Sequence, residues 1–202
     1  MKIFNIILIL VCFLLLLGCS SSYKELSNND YVPKDKFSKY LKELYQEKAN
    51  FEAKKMHDWN STKLYSEKAL KAINGVKVEP EKISSWNIPK NKLKELNIAY
   101  ENLMIVYNRA IDEDPYNLAF AISSLDCWSE QQEENWQTWD INQCKNDFLN
   151  AMQNIYNNIE KNNENLNNKE STNNENEKKI SVVTKNSDKE ILQIIYFDFD
   201  KS

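Results

Sequence analysis

Hydrophobic positions along the chain fall into three regimes with different periods. From Ile3 to Leu17 the sequence is almost unbroken apolar, interrupted only by Asn5. From Lys34 to about residue 160, apolar residues recur at three- and four-residue steps, the mark of one buried stripe on a helix. From Glu190 to Ser202 they alternate, the period of a strand. The helical regime divides into five elements. Phe37, Tyr40, Leu41, Leu44, Tyr45, Phe51 and Met56 form the first stripe. Asn60 or Ser61 can cap a second helix. Its inner face is Leu64, Tyr65, the stem of Lys68, Ala69, Ala72 and Ile73, and Asn74-Gly75 stops it. Glu79-Pro80 and Ile88-Pro89 bracket a loop that turns Trp86 back onto the helices.

A third helix, over about 90–113, carries Leu93, Leu96, Tyr100, Leu103, Met104, Tyr107, Ala110 and Ile111. Asp114-Pro115 ends it and opens a fourth, because Asp caps and Pro suits the first helical position. That helix runs through Leu118, Ala119, Ile122, Leu125 and Asp126 to about Glu130. A fifth starts near Asp140, with Ile141, Cys144, Phe148, Met152, Ile155 and Ile159 inward. Short links and only two glycines in the chain predict an all-α fold, a bundle or stacked helical hairpins. The first two helices resemble a tetratricopeptide-like hairpin, yet no 34-residue period supports a repeat array.

The opening run is about fifteen residues, short of the roughly twenty that a membrane-spanning helix needs. A charged start (Lys2), a short apolar stretch and small residues after it describe a secretory signal peptide over 1–18. Leu16-Leu17-Gly18-Cys19 resembles the lipobox of bacterial lipoproteins. That resemblance implies cleavage before Cys19 and acylation of its thiol and new amino group, with Gly18 small enough for the cut. More than one acyl chain gives stable anchoring. Ser20 rather than Asp after the cysteine implies, by the sorting rule of such lipoproteins, the outer membrane, facing the periplasm.

Residues 19–33 are polar and read as a tether, and 34–160 as a helical periplasmic domain. Residues 161–180 hold eight asparagines and four glutamates, so the segment 161–189 reads as a disordered linker. As a coil, its first twenty or so residues would span roughly 25 Å. The strand at 190–202 places Ile191, Gln193, Ile195, Phe197 and Phe199 on one face. Leu192, Ile194, Tyr196 and Asp198 lie on the other. Alone it exposes unpaired backbone, which implies a missing pairing partner.

Tyr196-Phe197-Asp198-Phe199-Asp200-Lys201-Ser202 resembles the opening strand of the OmpA-like domain, which binds peptidoglycan. In that family an Asp and an Arg further on hold the diaminopimelate of the wall. The chain stops before both, so it contains no peptidoglycan-binding residue, and wall binding is expected of a complete protein only. The middle also resembles the N-terminal helical region of OmpA-family lipoproteins. The matching residues are the stretch from Asp126 to Gln137 (DCWSEQQEENWQ), Cys144 and Trp86-Asn87-Ile88-Pro89. No activity attaches to that region in the family. The resemblance implies an outer-membrane lipoprotein with a structural role, tethering membrane to peptidoglycan, and a reading frame that continues beyond Ser202. The alternative is a periplasmic helical scaffold that binds an envelope protein.

Charge and cysteine usage narrow the classes. The chain has 26 basic and 30 acidic residues, and losing Lys2 with the signal leaves a net charge of about −5. With no basic patch, no nucleic-acid partner is expected. Cys12 leaves with the signal and Cys19 carries lipid, so Cys127 and Cys144 remain. Outside the cytoplasm an isolated pair favours a disulfide, and a zinc site would need ligands beyond His57, the single histidine. Glu130, Glu133, Glu134 and Asp126 suggest paired carboxylates, but a solvated helix end is the plainer reading. His57-Asp58 lacks a nucleophile in any recognisable setting. Trp59, Trp86, Trp128, Trp136 and Trp139 could stack on sugar rings, with packing around the disulfide the plainer reading for Trp128, Trp136 and Trp139. No enzyme activity, cofactor or metal is expected.

Overall fold

A computed structural model of the protein describes the backbone over residues 21–173 and side chains over 21–163. The signal segment expected over 1–18, Cys19, residues 174–189 of the expected linker and the strand expected over 190–202 lie outside the described residues. Six α-helices are present among the described residues, with no strand: α1 Ser21–Ser27, α2 Lys36–Phe51, α3 Trp59–Ile73, α4 Lys90–Glu113, α5 Pro115–Glu134 and α6 Thr138–Asn173. The fold is all-α.

Cap chemistry sets the boundaries. Asp35 accepts from the backbone N–H of Ser38 at 2.7 Å and opens α2. Asp58, rather than Asn60 or Ser61, opens α3, accepting from Asn60 N at 2.8 Å and Ser61 N at 3.1 Å. Gly75, at φ +69°, lets the chain leave α3: its N–H bonds Ala72 O, and Val76 N–H reaches back to Lys71 O. Asp114 caps α5, with Pro115 in the first turn. Its second oxygen accepts from Asn158 Nδ2 at 2.7 Å, which ties α6 to the α4–α5 corner.

Helix α5 is the axis of the domain. It packs against α2, α4 and α6, while α2 pairs with α3. Buried around α5 are Leu118, Ala119, Ala121, Ile122, Leu125 and Trp128. Fully covered alanines (Ala49, Ala69, Ala72, Ala99, Ala110, Ala119) let the helix backbones approach closely. Aromatic side chains fill between them: Phe37 meets Tyr107 edge-on at 5.9 Å and Trp128 tilts against Phe148 at 6.0 Å.

Four further expectations change. The tether expected over 19–33 contains α1, which docks on α3 with Leu26 only 1% exposed and Tyr23 donating to Asn50 Oδ1 at 2.8 Å. Two turns with one buried leucine are too short to register as a periodic stripe. Residues 161–173 of the expected linker are helical instead, because α6 continues to Asn173. Arg109 of α4 pins its far turns through Asn163 Oδ1 at 2.7 Å, and Asn162 donates to Glu113 at 2.9 Å. Phe51 and Met56, expected inward, are exposed. The chain from Glu52 to Met56 widens into a π-helical turn, which rotates the stripe out of register. Lys68, expected to bury its stem alone, is buried to its ammonium.

Candidate functional site

Asp126 and Glu130 sit four residues apart on α5 and therefore share one face of it. Both are buried, at 0% and 5% exposure, so neither belongs to the solvated helix end expected for them. Tyr45 of α2 and Tyr65 and Lys68 of α3 face them. Asp126 accepts from Tyr45 Oη at 2.6 Å, Lys68 Nζ at 2.5 Å and the backbone N–H of Glu81 at 2.7 Å. Lys68 also bonds Glu79 O at 2.9 Å and pairs with Glu81 at 3.2 Å. Tyr45 and Tyr65 stack with centroids 5.9 Å apart, and Tyr65 Oη donates to Glu130. Burial first, and the neighbouring carboxylate second, push both phenols well above their ordinary range. This layer is saturated with internal partners and clamps the 76–82 loop to the helices.

Two hollows open beyond it. The first, about 320 Å³, lies where α2, α5 and α6 meet, lined by Leu44, Lys48, Glu52, Phe120, Glu130 and the cystine, among others. The second, about 440 Å³, lies under the π-helical turn and includes His57, Trp59, Asn60, Glu134 and Trp136. Glu52, Met56 and Gln131 line both. Glu52 is 7% exposed. Burial pushes its carboxyl up to about 8, helped by Glu130, Asp58 and Glu134 and opposed by Lys48. Burial raises Glu130 to about 7, against the hydrogen bonds of Ser61 and Tyr65. Lys48 is lowered by burial, against the pull of Glu130 and Asp126.

The raised Glu52 carboxyl makes stability depend on pH. Near pH 4 it is protonated in both folded and unfolded chains. Between its ordinary 4.5 and about 8 the unfolded chain has lost the proton and the folded one retains it, so stability falls as pH rises through that window. Glu52→Gln is expected to be neutral near pH 4 and stabilising by on the order of 2 kcal/mol near pH 9, less than the whole shift implies, because solvent reaches one side of the group. Melting temperature against pH checks this. Parallel curves for the two proteins would refute it.

The other sequence candidates are dispersed. Glu133 accepts from Asn87 N and holds the Trp86 loop, with Trp86 itself packed against the core. Glu134 is exposed and accepts from Trp136 Nε1 at 3.1 Å. Asp58 caps α3, and His57 takes a left-handed conformation at the junction; they form no dyad. Cys127 and Cys144 are joined as a disulfide with Cα atoms 5.7 Å apart, linking α5 to α6. Trp128 is buried beside it, as the packing reading expects, whereas Trp136 and Trp139 are each 68% exposed, which that reading does not. No group of three or more His, Cys, Asp or Glu suited to a metal occurs among the described residues. Sequence reasoning missed Glu52, Lys48 and Gln131. Each lies in a polar stretch, and only the π-helical turn and the crossing of α5 bring them together.

No protein-family model, curated protein or solved structure matches this chain significantly.

Proposed function

We propose that this chain is an outer-membrane lipoprotein with a structural role. Lipid on Cys19 holds the helical body at the periplasmic face, and the segment at 190–202 opens an OmpA-like domain that reaches peptidoglycan. The observation that carries the reading is the docking of α1. Ser21 stands two residues after Cys19 in the sequence and already begins a helix packed on α3, with Leu26 buried. An anchor at Cys19 would therefore hold the body close against the bilayer surface, with little slack. No helix among the described residues is long and apolar enough to cross a membrane. At the other end α6 stays packed on the body as far as Ile159 and Asn163 and continues as helix to Asn173, about 15 Å further at 1.5 Å per residue.

Intact-mass analysis of membrane-extracted protein is expected to show cleavage before Cys19 and an acylated product. Cys19→Ser should lose the acyl mass and membrane retention. A Cys19→Ser protein that stays in the membrane fraction would overturn the anchor. Failure of the uninterrupted gene product to sediment with purified cell wall would overturn the wall-binding half.

A further inference from the structure

The hollow under the π-helical turn combines features that the anchoring role does not use. Two large indoles border it although neither is needed for the core: Trp59 is 46% exposed and Trp136 is 68% exposed. Around them stand planar hydrogen-bonding groups, the amides of Asn60 and Gln131 and the carboxyls of Glu52, Asp58 and Glu134. Gln131 Oε1 is occluded from solvent and has no hydrogen-bond partner, an acceptor left unmet where the two hollows join. Glu52 is also buried and lines both hollows. The two non-glycine residues at positive φ among the described residues, His57 (57°) and Asn135 (53°), are left-handed caps that end the π-helical turn and α5.

Aromatic faces beside amides and carboxyls are the chemistry that recognises a pyranose ring. The indole covers the ring's C–H face, and planar polar groups bond the hydroxyls around its edge. A volume of about 440 Å³ lies within the range of small-ligand sites. The acidic side chains of Asp58 and Glu134 against one histidine disfavour a phosphorylated or otherwise anionic ligand. We propose that the hollow between Trp59 and Trp136 is a carbohydrate subsite that takes an uncharged hexose or N-acetylhexosamine unit of a glycan. Glu52, protonated at neutral pH, adds a hydrogen-bond donor that an ionised carboxylate would lack.

The test uses the full chain in a detergent without a sugar head group. Cellotetraose and tetra-N-acetylchitotetraose are titrated while tryptophan fluorescence is followed, with saturation-transfer NMR reading the pyranose protons. Saturable binding of at least one glycan is expected. Trp136→Ala and Trp59→Ala should each weaken it about tenfold or more, the scale of a binding hot spot. Trp136→Phe should retain part of it. Trp139→Ala, equally exposed but outside the hollow, should bind like the parent. Circular dichroism separates a binding loss from misfolding, which exposed positions are expected to tolerate. Absence of saturable binding to both glycans, equal loss in Trp139→Ala, or binding of a tetralysine peptide with neither glycan bound would each overturn the proposal.

Discussion

Replacing Lys68 by methionine is expected to destabilise the fold by about 3–5 kcal/mol, the largest effect of any single change at the polar layer. The ammonium is 2% exposed and sits 2.5 Å from an Asp126 carboxylate that is itself 1% exposed. Methionine matches the stem in volume, so packing changes little. What changes is that the Asp126 carboxyl loses its cation and is left in a desolvated layer with only Tyr45 and the Glu81 amide to answer it. Glu79 O and Glu81 Oε1 lose their partner as well, and the 76–82 loop loses one of its clamps. The contrast variant is Lys68→Met with Asp126→Asn. The asparagine Oδ1 still accepts from the Glu81 N–H, its NH2 can donate to Tyr45 Oη, and it carries no charge, so the double variant should be more stable than Lys68→Met alone. Urea unfolding of the four proteins closes the cycle. A Lys68→Met loss below about 1 kcal/mol, or strictly additive losses, would show that the pair is solvated in solution.

That layer also marks where sequence reading stops. The all-α class, the α4–α5 corner and the inner faces of α4 and α5 are legible because caps and periodicity are local. Asp114-Pro115 specifies its own break, and Leu96, Leu103, Tyr107 and Ala110 repeat at helical steps. Lys68 looked like a snorkelling stem because its partner stands 58 residues away on another helix. No local rule distinguishes a lysine at a stripe's margin from one aimed at a buried acid. The π-helical turn is invisible for a related reason. One added residue in a Glu-Ala-Lys-Lys stretch leaves helix propensity unchanged, yet it turns Phe51 and Met56 outward and Glu52 inward. Glu52, one of three residues common to both hollows, is therefore illegible in advance. Trp136 and Trp139 fail differently: proximity to the cystine in sequence suggested packing, but α5 ends at Glu134 and the corner carries both indoles into solvent.

Removing the Cys127–Cys144 bond is expected to lower stability by about 3 kcal/mol. The bond closes a loop with a separation of 17 residues, and the denatured chain regains that loop's freedom. For a chain of this size the loss corresponds to roughly 6–12 °C in melting temperature. Cys127→Ala/Cys144→Ala and chemical reduction should agree, because both leave the helices free to pack. The fold is expected to survive either treatment. Trp128 still lies on Phe148, Lys145 still covers the Trp128 ring at 5.5 Å, and α5 and α6 share their buried faces without the bond. The cystine also forms part of the wall of the first hollow, so its loss should loosen that corner before the rest. Hydrogen exchange at 138–148 is expected to rise more than at the α2–α3 hairpin. Protein folded under reducing conditions should show the lower melting temperature and two titratable thiols from this pair after unfolding. Equal melting temperatures for oxidised and reduced protein would mean that helix packing alone restricts the corner. The bond would then contribute little to equilibrium stability.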